Sequence, residues 1–234
     1  MKLCTFHPVD HPLRRGWVGR VDGEHVIQLA AQTLQAFFTG GGSAREHAVY
    51  PLAGVRLLPP VLHPPAVRIF DDQRSFVFAN PAATVGSGAT VGTTPSDTVS
   101  QGTFALFPRV TAVIGASEEV AGFTLLMEWR DTDLAPPKDR DFALGLGPLV
   151  VTSDELDPNE LEAVVRVDAA ERLRGRFEGF DWGAARAHAS EGTTLRPGDL
   201  LASPALDAVA DLAPGSSVEL EAEGIGMLSQ TIRS

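Results

Sequence analysis

Residues 103–115 read TFALFPRVTAVIG. An apolar, β-branched run of this length, closed by a glycine, reads as one buried strand followed by a turn. Alternate residues of a strand share a face. Phe107 and Arg109, with Pro108 between them, therefore point the same way. What a phenyl ring and a guanidinium do together inside a buried strand is the question on which the reading of the chain turns.

Strands dominate on both sides of this stretch. GWVGRV (Gly16–Val21) and HVIQL (His25–Leu29) flank Asp22-Gly23, a hairpin signal. Leu29, Ala30, Thr33, Leu34, Phe37 and Phe38 then recur at helical spacing, and TGGGS (Thr39–Ser43) ends that helix. The rigid, proline-rich LLPPVLHPP (Leu57–Pro65) marks a boundary between a small N-terminal β domain, residues 1–58, and a larger domain, residues 59–234. In the larger domain SFVFANP, GFTLLMEW, GPLVVT, LEAVVRVD, GDLLASP and SSVELEAEGIGMLSQTI read as strands, and Asp181–Ser190 as a short helix. Several strands are apolar on both faces, which calls for a thick β core. GSGATVG (Gly86–Gly92) has the wrong spacing for a phosphate-cradling loop and no helix pattern after it, so it reads as a plain loop.

The chain has 234 residues, of which 44% are hydrophobic and 21% charged, the make-up of a globular protein with room for a large core. A net charge of −11 opposes general nucleic-acid binding and docking on anionic membranes. The single Cys4 excludes an internal disulfide and suits a reducing, cytoplasmic setting. No apolar stretch reaches the roughly 18 residues of a membrane span, and MKLCTFHPVDHP carries no apolar leader core.

Five segments together carry a resemblance: SFVFANPAATVGSGATV, VAGFTLLMEWRDTDL, KDRDFALGLGPLVVTSDEL, SEGTTLRPGDLLAS and VELEAEGIGML. In order and spacing they resemble the fumarylacetoacetate hydrolase family across residues 57–234. Lys138–Pro148 is similar to that family's K-x-x-D…GP block, and Thr194–Asp199 to its t-L-x-P-G-D turn. The front of the chain resembles the family's small N-terminal β domain. The resemblance implies a β-rich α+β fold built on a rolled mixed sheet, and a homodimer. It also implies Mg²⁺ or Ca²⁺ held by carboxylates, and cleavage of C–C bonds in small dicarbonyl or oxo acids, or their decarboxylation. A hard cation suits that chemistry because it chelates adjacent substrate oxygens and stabilises an enolate.

The family's chief metal signature, E-x-E before a V-I-G turn, falls on Phe107 and Arg109 when counted back from Val113-Ile114-Gly115. The Asp of its N-D-x-S-x-R-D block falls on Glu128, the retained ligand candidate, and the Arg of that block on Thr132. No histidine stands between His63 and His188 to serve as the family's base; Asp71 and Asp72 are the nearby acids. The family's S-G-T becomes Ser203-Pro204-Ala205. Lys138 lands on the active-site lysine, and Asp141 belongs to the same block; a surface ion pair within KDRD is the competing reading of Lys138.

The expectation is a pocket without a metal, in which Lys138, Glu128 and Asp141 carry any catalysis and Arg109, Phe107 and Ser203 contact substrate. Arg109 either grips a substrate carboxylate or pairs with Glu128 and, with Phe107, plugs the site. The first arrangement suits a hydrolase or lyase, the second an inactive relative that binds a ligand or supports a partner protein. Elsewhere, His7 and His11 are each followed by a proline and read as an exposed turn, and Cys4 as a buried strand residue.

Overall fold

The computed structural model describes residues 1–91 and 103–233. Its strands are β1 (Lys2–Pro8), β2 (Trp17–Asp22), β3 (His25–Leu29), β4 (Glu46–Pro51), β5 (Val55–Leu58), β6 (Val67–Phe70), β7 (Phe76–Ala79), β8 (Thr84–Val85) and β9 (Ala89–Val91). They continue as β10 (Phe104–Ile114), β11 (Val120–Asp131), β12 (Leu144–Thr152), β13 (Glu162–Val167), β14 (Ala170–Arg176), β15 (Leu200–Ala202), β16 (Val209–Leu212), β17 (Ser217–Ala222) and β18 (Gly226–Ile232). Two short helices accompany them, α1 (Leu34–Thr39) and α2 (Trp182–Ala189).

The large mixed sheet runs β4-β3-β2-β1-β12-β11-β10-β15-β6-β7, with β5 on β1, β8 on β12 and β16 on β10. A second sheet runs β14-β13-β17-β18-β9. β1 pairs with β12, so the large sheet passes without a break across the proline-rich segment that begins at Leu57.

The strand quoted first, β10, lies inside the large sheet and shows the two-residue period directly. Leu106, Val110 and Ala112 pack in the cluster between the two sheets. Val113, on the opposite face, joins Leu126, Leu144 and Leu146 in a second cluster with Leu3, Val18 and Phe37 from the front of the chain. Each fully buried leucine-sized side chain contributes roughly 1.5–3 kcal/mol. The first 58 residues are therefore held by a shared ladder and a shared core. Gly122 lets β11 and β12 approach closely: a Cβ there would lie 2.4 Å from the Val151 carbonyl oxygen.

Local structure departs from the sequence reading at three places. The helical pattern from Leu29 shrinks to α1, because Leu29 is the last residue of β3 and Thr33 caps the helix by accepting the Ala36 N–H. His7 is a buried member of β1 rather than a turn residue, since the extended chain continues to Pro8, while His11 is exposed. GSGATVG contains β9, which pairs in parallel with β18; Gly92 lies outside the described residues. Cys4 is buried in β1. Asp181 and Ser190 bracket α2 as its caps.

Candidate functional site: a buried arginine–glutamate cluster

β10 and β11 are antiparallel, with Phe107 opposite Glu128 and Arg109 opposite Leu126. This register sets Phe107, Arg109, Glu128 and Arg130 on one face. Arg109 is 2% exposed and Glu128 fully buried. Arg109 Nε donates to Glu128 Oε2 at 2.8 Å, and Nη2 approaches the same oxygen at 2.6 Å. Nη1 donates to the backbone carbonyls of Phe70 (2.8 Å) and Ser203 (2.6 Å). The guanidinium thus ties β10 to β11, β6 and the chain leaving β15. Burial lowers its pKa, and the charge and hydrogen bonds of Glu128 oppose that shift. An arginine stays protonated under such forces.

The other oxygen of Glu128 meets two further arginines. Arg130 Nε donates to Oε1 at 2.8 Å, and its guanidinium lies 4.1 Å from the centre of the Phe107 ring. Such a cation–π contact is worth about 0.5–1 kcal/mol where partly exposed. Arg140 Nη1 lies 3.4 Å from Oε1 and has no hydrogen bond among the described residues. Asp139 is buried and holds Oδ1 3.5 Å from Arg140 Nε. Three guanidiniums therefore share one buried carboxylate, with Asp139 beside Arg140 and the charge of Asp71 also acting on Arg109.

Arg140 arrives on a short 3₁₀ turn, Lys138–Arg140. Lys138 belongs to the same turn but is 70% exposed and pairs with Asp141, whose pKa is lowered by that hydrogen bond. Lys138 and Asp141 are thus brought to each other and make no ion pair or hydrogen bond with Glu128 among the described residues. The Ser203 hydroxyl donates to the Pro204 carbonyl, so Ser203 reaches Arg109 through its backbone oxygen. A cavity of about 320 Å³ opens beside Ser203, Pro204, Ala205 and Leu206, and Arg109, Glu128 and Lys138 do not line it. Asp72 caps the β6–β7 turn by accepting the N–H groups of Arg74 and Ser75, and the Arg74 N–H leads the lowering of its pKa.

Arg130 and Arg140 are the members that sequence reading missed. Arg130 was within reach of it: two residues beyond Glu128 in a strand means the same face. Arg140 was not, because the 3₁₀ turn that carries it has no periodic signal.

Mg²⁺ and Ca²⁺ take several oxygen ligands, carboxylates above all. Here a guanidinium stands against Glu128, and both carboxylate oxygens already face arginines. Among the described residues no three His, Cys, Asp or Glu side chains converge on a point that could hold a cation. This cluster does not fit a divalent cation, and no chemical step is derived through one.

The sequence pattern of the Fumarylacetoacetate (FAA) hydrolase C-terminal family matches residues 65–233. Maleylpyruvate hydrolase of Aquipseudomonas alcaligenes is 32% identical over 126 residues, covering 50% of this chain and 43% of that protein. The chain spans about half the length of the curated relatives it matches. Two solved structures share the fold over 100% of this chain and 99% of their own. The fumarylacetoacetate hydrolase of Exiguobacterium antarcticum superposes with a TM-score of 0.81 at 20% identity. The maleylpyruvate hydrolase of Sphingobium sp. SYK-6, in complex with manganese(II) and pyruvate, gives 0.80 at 19%. Among the described residues no helix is long and apolar enough to cross a membrane. With its rolled mixed sheet, its K-x-x-D…GP block and a family pattern spanning residues 65–233, the chain belongs to the fumarylacetoacetate hydrolase family.

Proposed function

We propose that this protein binds a small oxo acid without a metal, as a cytoplasmic homodimer, and does not carry out metal-dependent C–C bond cleavage. One observation carries the reading. At the position where the family resemblance puts a metal-binding glutamate, Arg109 is buried and bonded to Glu128 and to two backbone carbonyls. Four of its five N–H donors are engaged, so Arg109 plugs the site instead of gripping a ligand.

Arg130 and Arg140 keep unused donors at the edge of the plug. Guanidiniums recognise carboxylates through paired, charge-assisted hydrogen bonds. Arg130 and Arg140 share one oxygen of Glu128, with Asp139 beside Arg140, which leaves guanidinium donors for an added carboxylate. The Phe107 ring, already beneath Arg130, supplies an apolar floor.

A second reading is a metal-free hydrolase or lyase that uses Lys138. It rests on the shared turn: Lys138 is two residues from Arg140, so a substrate held by Arg140 lies near the Lys138 ammonium.

Oxaloacetate in chelator-containing buffer tests both. The proposal expects saturable calorimetric binding, at least tenfold weaker in Arg130→Ala and Arg140→Ala, and no decay of oxaloacetate beyond the buffer rate. Absence of binding, or turnover by the native protein on adding Mg²⁺, overturns it. Metal-free turnover that Lys138→Ala abolishes establishes the second reading instead.

A further inference from the structure

A cleft of about 730 Å³, lined by none of the arginine-cluster residues, lies between the front of the chain and the body of the fold. Trp17, Leu34, Pro60, Leu62 and Pro197 form its walls. They come from four separate stretches: the start of β2, the start of α1, the proline-rich segment, and the turn before β15. Prolines have one fixed backbone torsion, so walls built on them are set before any ligand arrives. Gly16 holds the entrance in place. Its φ is +60°, and a Cβ there would lie 2.6 Å from the Phe6 carbonyl oxygen, so the chain can pass only as glycine. The volume falls within the roughly 300–1,000 Å³ of ligand clefts, which are apolar with a few placed polar groups.

Arg15 is the one Lys or Arg in the lining, which also carries the polar side chains of Thr5, Gln32, Thr33, Gln35 and His63. Arg15 lines the cleft, is exposed, and makes no ion pair or side-chain hydrogen bond among the described residues. Its neighbour Arg14 is likewise exposed and without such a partner. No aspartate or glutamate lines the cleft. Gln32 also lines the cleft and makes no side-chain hydrogen bond among the described residues. In a chain of net charge −11, Arg15 in the lining, with Arg14 next to it in sequence, puts positive charge at this cleft and favours an anion there.

We propose that this cleft is a second binding site, for a small amphipathic carboxylate whose apolar body lies against Trp17, Leu62 and Pro197 and whose carboxylate meets Arg15. The site is independent of the oxo-acid reading: none of Phe107, Arg109, Glu128, Arg130 or Arg140 lines it.

Octanoate is the probe, followed by calorimetry and by the emission of Trp17 in a Trp129→Phe, Trp182→Phe background. Saturable binding is expected, at least tenfold weaker in Arg15→Ala, with 1-octanol binding unchanged by that substitution. Arg15 is exposed and unpaired, so the variant keeps its fold, which its thermal midpoint checks. Gln32→Trp fills the cleft and is expected to abolish octanoate binding. No saturable binding at millimolar octanoate, or binding that survives both substitutions in folded protein, overturns the proposal. Calorimetry on native protein retains the test if the tryptophan background fails to fold.

Discussion

Arg109 and Glu128 face each other across β10 and β11, with guanidinium nitrogens 2.6 and 2.8 Å from one carboxylate oxygen and no solvent between them. The pair is the interior joint of four chain segments, because the same guanidinium also holds the carbonyls of Phe70 and Ser203. Buried ion pairs of this kind cost desolvation energy to form, yet are very costly to halve.

Glu128→Ala is therefore expected to destabilise the protein by about 3–5 kcal/mol, since it leaves a buried guanidinium uncompensated. The double variant Arg109→Met with Glu128→Leu removes the buried pair and is expected to recover part of that loss, since Arg130 and Arg140 still lose the carboxylate they share. Urea unfolding of the single and double variants measures the difference. A single-variant cost no greater than that of an exposed pair would mean the cluster is hydrated.

Lys138 offers the opposite expectation. Its ammonium is exposed and its partner Asp141 is a near neighbour on the same turn. Lys138→Ala is expected to leave the unfolding midpoint within the scatter of replicate measurements. Any large effect of this variant then reports on ligand or turnover rather than on folding.

Cys4 is a probe of the front of the chain. Burial pushes its thiol up to about 12, with the Gly19 backbone hydrogen bond opposing. A raised folded-state pKa contributes stability that is fully present below the unfolded thiol value, about 8.5, and is lost as the pH climbs toward 12. Labelling by a thiol reagent at pH 8 is expected to be blocked in native protein and prompt in denaturant. Prompt labelling of native protein would show that β1 opens locally, away from its pairing with β12.

Gly122→Ala tests the approach of β11 to β12. The added Cβ would meet the Val151 carbonyl oxygen and a Val150 methyl, neither of which is a flexible chain end. A loss of at least about 1–3 kcal/mol is expected, as for other overpacked interiors. It is read from denaturant midpoints.

The sheet was legible because its strands carry their own signal. β10, β11 and β12 are long and apolar on both faces, so length and composition suffice. The Asp22-Gly23 hairpin and the caps of α2 follow from residue chemistry alone. Failure came where tertiary structure overrides spacing. Leu29 fits a helical stripe but is drawn into β3 by pairing with Glu46 of β4. His7 stands next to Pro8 but extends into β1 because β2 and β5 flank that strand on its two edges. At the site, the shared face of Phe107 and Arg109 followed from two-residue alternation, and Glu128 from the family resemblance; the register that sets Glu128 opposite Phe107 came from the structure. The contributions of Arg130, Arg140 and the backbone oxygens of Phe70 and Ser203 required coordinates, since no local pattern announces a carbonyl that accepts from a guanidinium.

The central claim is that a guanidinium stands where the family resemblance puts metal-binding glutamates. Calorimetric titration of chelator-stripped protein with Mg²⁺, Ca²⁺ and Mn²⁺, alongside the Phe107→Glu, Arg109→Glu double variant, tests it directly. The account predicts no saturable binding by the native chain and one ion per chain in the double variant, where Glu128 regains two carboxylate neighbours. Saturable binding of one ion per chain by the native protein would contradict it.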